Sequence, residues 1–179
     1  YGSKRAVTVR RYAENAARFL LGRQLDLLLI ACNTASAYAI DALMESSPVP
    51  VLGAVEPGAR AAVRATRSGS IGVLGTLGTV RSGAYVRAIE RAAASPVRVA
   101  LRACPLLVPL VEEGLLDGEV PRLVVRRYLD ELHAEAPELD VLVLGCTHYP
   151  LLRSLLHDEA RRRWQHDLVL VDSAGTMAE

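Results

Sequence analysis

The 179-residue chain is 51% hydrophobic and 23% charged, enough material to bury a core in one large domain or two small ones. Its net charge of +1 argues against nucleic acid or an anionic membrane surface as partner. No apolar run approaches the roughly 20 residues of a membrane span, and no hydrophobic stretch follows Lys4-Arg5 as it would in a signal peptide. The three cysteines therefore read as reduced thiols of a cytoplasmic protein rather than a disulfide framework. Lys4 is the sole lysine, and it alone could form the Schiff base that pyridoxal phosphate requires, so a cofactor-free mechanism is expected.

Apolar residues at Val9, Tyr12, Ala16, Phe19 and Leu20 recur at helical spacing and predict a helix over 6–24, ending near Gly22. The segment 26–31, apolar from Leu27 onward, predicts a buried parallel strand. Cys32-Asn33-Thr34 turns it into a helix over 35–45, with Asn33 or Thr34 as the cap. A second strand is expected over 49–55, and Glu56-Pro57-Gly58 opens a helix running to about Arg67. A third strand covers 70–75. The small-residue loop 75–79 leads into a helix over 80–94, and an alternating strand over 97–103 ends at Cys104-Pro105. A short apolar segment spans 106–114, and a helix with a wet arginine face spans 119–135. The strand 139–145 then leads to Cys146, followed by a helix over 150–163 and a last strand over 167–171. Strict alternation implies parallel sheets with right-handed crossovers, an α/β protein.

LLLIACNTAS at 27–36 and VLVLGCTHYP at 141–150 echo each other, each an uncharged strand closed by a small residue, a cysteine and small polar groups. The echo predicts two pseudo-symmetric domains with mainly parallel sheets flanked by helices, and a site between them. Domain one is expected at 1–56, joined by 166–179, and domain two at 57–165.

Polar residues at the carboxyl ends of parallel strands are where open α/β sheets bind ligands. A cysteine beside a buried strand is often just a small hydrophobe. Yet Cys32 and Cys146 both precede helix N-termini, which lower a thiol pKa, and Cys104 lacks that setting. Cys146 and His148 complete no tetrahedral metal set, so no metal is expected. A Cys/His hydrolase would leave Cys32 unexplained, and residues two apart on an extended segment point alike rather than toward each other. Two opposed thiols account for both cysteines: inverting a stereocentre takes a base on one face of the carbon and an acid on the other. His148, Glu112 and Glu113 are candidates to tune them. Asn33, Thr34, Thr76 and Thr147 offer neutral donors and acceptors suited to an amino acid, although such residues also serve as plain helix caps.

Ala31-Cys32-Asn33-Thr34-Ala35-Ser36 and Gly145-Cys146-Thr147-His148-Tyr149-Pro150-Leu151 closely resemble the two signature motifs of bacterial glutamate racemases. Similar stretches occur at 55–59, 75–85 and 104–112. The resemblance implies a cofactor-independent racemase interconverting L- and D-glutamate for peptidoglycan, with Cys32 and Cys146 as the acid/base thiols. It further implies that Glu112 and His148 assist the thiols, and that Tyr1, Gly2, Asn33, Thr34, Thr147 and His148 hold the substrate. Racemisation of aspartate or another small amino acid, a single-cysteine hydrolase and a non-catalytic amino-acid binding protein remain alternatives. A homodimer is compatible with all of them. The family begins with a strand bearing an Asp-Ser pair, whereas this sequence starts inside its Tyr-Gly-Ser motif and looks short after the last strand, which predicts exposed apolar surface and poor solubility.

Overall fold

The computed structural model describes residues 1–177, in which parallel strands and helices alternate. A first, small sheet pairs β1 (Leu28–Ile30) with β2 (Val51–Gly53) in parallel. Helices α1 (Ala6–Leu21) and α2 (Asn33–Ser46) pack together, with Ala17, Leu28, Ala39 and Leu43 forming their core. Leu29 of this sheet and Leu27 just before it are exposed, at 53% and 45%.

The second sheet carries four parallel strands in the order β4 (Arg98–Ala103), β3 (Ser70–Gly75), β5 (Val141–Gly145) and β6 (Val169–Asp172). Its central strands are apolar without alternation because both faces are covered. Val141 and Val143 of β5, with Ile71 and Val73 of β3, face α3 (Val55–Ala65) and α5 (Ala84–Ala92). Leu142 and Leu144 face the other way, against α6 (Leu107–Glu112), α7 (Glu119–Glu135) and α8 (Arg153–Trp164). Leucines such as Leu129, Leu132 and Leu142 are essentially fully buried, each contributing roughly 1.5–3 kcal/mol of transfer free energy.

Four details differ from the expectations. The helix expected over 80–94 is two helices, α4 (Leu77–Ser82) and α5, because Gly83 takes the left-handed conformation at φ 65° and breaks the ladder. The segment 106–114 contains a helical turn and a half, α6. The helix expected from Pro150 begins as a 3₁₀ turn, Tyr149–Leu152, before α8. The return of the chain to the first sheet after residue 165 is not found. Instead, β6 pairs with β5, from Val141↔Val169 to Leu144↔Asp172, since the crossover through α8 delivers it to the edge adjoining β5. A short helix α9 (Ser173–Met177) follows and contacts α3, while 178–179 lie outside the described residues.

Glu159 on α8 is buried at 4% exposure, yet it is charged. Arg122 and Arg126 of α7 each donate to it at 2.6 Å, and Arg162 donates at 3.2 Å. Burial on its own would raise the Glu159 pKa, but the guanidinium hydrogen bonds outweigh it and hold the carboxyl below its usual 4.5. A folded-state pKa below the unfolded one gives stability that is present above pH 4.5 and lost as pH falls through the folded value. Glu159→Gln should therefore cost about 2 kcal/mol at neutral pH, and roughly 4–8 °C in Tm. Thermal melts over a pH series should show that difference shrinking as the medium becomes acidic.

Candidate active site

Cys32 is itself the N-cap of α2, so the helix begins one residue after the thiol, earlier than expected. Ser36, in the first turn, fixes this start to the sheet. Its hydroxyl donates to the Ile30 carbonyl at 2.8 Å and accepts from the Ala54 amide at 3.0 Å, tying the ends of β1 and β2 to α2. Asn33 and Thr34, expected as caps, turn their side chains toward the second sheet instead. Asn33 Oδ1 accepts the Tyr85 hydroxyl at 2.6 Å.

Thr34 Oγ1 lies 2.8 Å from Thr76 Oγ1 and 3.1 Å from Thr79 Oγ1, and the last two are 3.0 Å apart. Thr76 follows β3 and caps α4, accepting the Thr79 amide at 3.1 Å. A backbone bond runs alongside, from Gly78 N to Gly2 O at 2.8 Å. The carboxyl ends of the two sheets thus meet through buried polar groups.

Cys146 follows β5 and is 7% exposed. The chain turns at once into the 3₁₀ segment, with the Tyr149 amide bonded to the Cys146 carbonyl at 3.1 Å. That turn corrects the expectation that residues two apart on an extended strand point alike: His148 Nδ1 stands 3.9 Å from Cys146 Sγ. It is also 3.5 Å from Thr147 Oγ1. On its far side His148 Nε2 lies 3.4 Å from Glu112 Oε1, at the end of α6. With the Nε2–H tautomer donating to Glu112, Nδ1 is free to accept a proton from the sulfur.

Burial pushes the Cys146 thiol above its ordinary value of 9.0, and negative charge at Cys32 pushes it further, while the backbone amides of His148 and Tyr149 pull it down. Cys104, the third cysteine, is fully buried, its Sγ donating to the Arg102 carbonyl at 3.5 Å, and burial holds it as a thiol. Among the described residues no three His, Cys, Asp or Glu side chains group as metal ligands, and no helix is long and apolar enough to cross a membrane.

A cavity of about 210 Å³ opens beside this junction, lined by Tyr1, Gly2 and Thr76 together with Cys104 and Pro105. At about 30 Å³ per water it has room for roughly seven waters, the scale of a small zwitterion. Tyr1 also borders a second cavity, of about 190 Å³, whose wall includes Cys32 and the apolar faces of α1 and β1. Tyr1, Gly2, Thr76 and Cys32 thus share one neighbourhood. Cys146, Thr147, His148 and Glu112 form a second cluster, and neither cavity is lined by both cysteines. Sequence reasoning did not single out Thr79, Ser36 or Tyr85. Thr79 carries a signal in its spacing of three from the capping Thr76, but nothing in spacing marks Tyr85, an aromatic residue on a helix face that is otherwise core.

The profile of the Asp/Glu/Hydantoin racemase family matches residues 3–179. The glutamate racemase of Geobacter metallireducens is 50% identical over 174 residues, covering 97% of this chain and 62% of its own length. Among solved structures, glutamate racemase isoform RacE1 from Bacillus anthracis superposes with a TM-score of 0.91 at 37% identity, covering 99% of this chain and 64% of that one. The glutamate racemase of Francisella tularensis in complex with D-glutamate gives a TM-score of 0.85 at 30% identity, covering 99% and 65%. The chain spans about three-fifths of the length of the curated relatives it matches. Two cysteine strand ends on a parallel α/β frame, with a family match across almost the whole sequence, lead to one conclusion: the chain belongs to the Asp/Glu/Hydantoin racemase family.

Proposed function

We propose that the chain carries the two-thiol site of a cofactor-independent glutamate racemase acting in the cytoplasm and supplying D-glutamate for peptidoglycan. The observation that carries this reading is the placement of Cys32 and Cys146, thiols from distant parts of the chain, each at the carboxyl end of a parallel strand beside one buried polar junction. One thiolate removes the α-proton, the opposite thiol returns a proton to the other face, and the roles exchange with direction. Relatives about 50% identical over nearly the whole chain are named glutamate racemases, which supports glutamate as the substrate over other small amino acids.

The neighbouring groups take roles consistent with their geometry. The Thr34, Thr76 and Thr79 hydroxyls make three mutual contacts, Thr76 also accepting the Thr79 amide, and the lone pairs left on Thr34 and Thr79 suit the substrate ammonium. Backbone amides at the starts of α2 and of the 3₁₀ turn suit its carboxylates. Tyr1 and Gly2 form the wall of the adjoining cavity. His148, held by Glu112, exchanges a proton with Cys146 between turnovers.

Three outcomes are expected. In D2O the protein should incorporate deuterium at the α-carbon of both glutamate enantiomers, and Cys32→Ser and Cys146→Ser should each abolish interconversion; full racemisation by either variant would refute the two-thiol mechanism. His148→Ala should lower kcat by about 10²-fold, as loss of a proton-transfer partner does. Glu112→Gln should lower it by only a few-fold, because its carboxylate is 63% exposed and its contact is a screened surface pair.

Activity also depends on the protein holding one thiolate and one thiol. Removing the second proton is what the raised Cys146 pKa opposes. The alkaline limb of the pH–rate profile should consequently fall above pH 9.0, the ordinary value for that thiol. A limb well below 9.0 would contradict the assignment of Cys146 as the acid.

A further inference from the structure

Tyr85 lies on α5, in the core of the second sheet, yet it reaches both cysteine loops. It is 1% exposed, and its helix neighbours Ala88 and Ile89 are packed with Val141 and Val143 of β5, so the base of the side chain is fixed by the core. At one edge the ring lies against the backbone just before Cys146: a methyl group at Gly145 would stand 3.1 Å from Tyr85 Cε2. At the other end the hydroxyl donates to Asn33 Oδ1 at 2.6 Å, one residue after Cys32. Gly58 of α3 closes the space behind the hydroxyl, since a methyl group there would come within 3.1 Å of the oxygen. The ring therefore has little room to move, and a single side chain spans the gap from the end of β5 to the first residue of α2.

We infer that Tyr85 is a positioning residue, a rigid spacer that rests on Gly145 and holds Asn33, and so sets where the Cys32 thiol stands relative to Cys146. A buried hydroxyl is costly unless bonded, so phenylalanine would fit the apolar surroundings better if packing were the only task. Burial also keeps the phenol protonated, so it serves as a donor throughout the neutral range. A donor there fixes the Asn33 amide with its oxygen toward Tyr85 and its NH2 turned the other way. Asn33 is the first helical residue, directly bonded to the cap residue Cys32, so its setting is transmitted to the thiol through one peptide unit. Misplacement of about 1 Å at such a site is enough to cost about 10²-fold in rate.

The role in the reaction rests on the two-thiol reading, whereas the role in setting the thiol does not, and two readouts separate them. Tyr85→Phe removes only the hydroxyl, and Asn33→Ala removes the same hydrogen bond from the opposite end. Alkylation of the purified protein with iodoacetamide across a pH series, resolved by mass spectrometry, reports each cysteine separately. In both variants Cys32 should react at least about threefold faster, while Cys146 stays within about twofold of the parent, since thiol reactivity follows local environment. α-Proton exchange by Tyr85→Phe should show kcat lowered about tenfold with KM nearly unchanged. Cys32 alkylation like the parent's in Tyr85→Phe overturns the inference whatever happens to activity, and even if the melting temperature falls. Altered Cys32 reactivity with undiminished kcat overturns the role in the reaction. If the parent itself exchanges no α-proton, the racemase reading fails, and the alkylation result alone decides whether Tyr85 sets the thiol.

Discussion

The structure depends on how the first turn of α2 is held against the carboxyl end of the second sheet. Two strands with three-residue pairing are a weak platform on their own, since isolated small sheets are marginal in water. What locates Cys32 is instead a set of buried polar contacts across the junction: Asn33 to Tyr85, Thr34 to Thr76 and Thr79, and Gly78 to Gly2. Such contacts are directional, so they specify a geometry where apolar packing alone would tolerate sliding. The larger sheet supplies rigidity, as β3 and β5 are sealed on both faces by leucine, valine and isoleucine side chains. Precision at the junction is borrowed from that core through residues such as Tyr85.

Much of the fold was legible because its signals are local. The uncharged runs of β3 and β5 could be nothing but doubly covered strands once helices flanked them, and α7 matches its expected span of 119–135. The failures have physical causes as well. Gly83 sits inside an otherwise good helical pattern, and only the observed left-handed φ reveals that it divides α4 from α5. The destination of β6 depends on which sheet edge is open after α8, a tertiary fact that strand periodicity does not carry.

The site was legible to the extent that residue type declares chemistry. Cysteine at two strand ends is unusual enough to be noticed, and the histidine two residues after Cys146 stood out with it. The expected caps show the opposite case. Asn33 and Thr34 carry side-chain oxygens that suit a cap locally. In the fold those oxygens face Tyr85 and the threonines of α4, and a cysteine takes the cap position instead. Tyr85 lay hidden for a related reason: it looks like any apolar helix residue, and its role exists only between elements distant in sequence.

The same junction governs the charge state on which a two-base reaction turns. Were both cysteines in open water, each would ionise independently near its ordinary pKa, and doubly ionised or doubly neutral forms would compete with the useful one. Here burial opposes charge on Cys146, and any negative charge at Cys32 opposes it further. The backbone amides of His148 and Tyr149 act in the other direction, without reversing the net upward shift. In the proposed reaction one sulfur carries charge while the other keeps its proton, and burial of Cys146 favours the protonated form there.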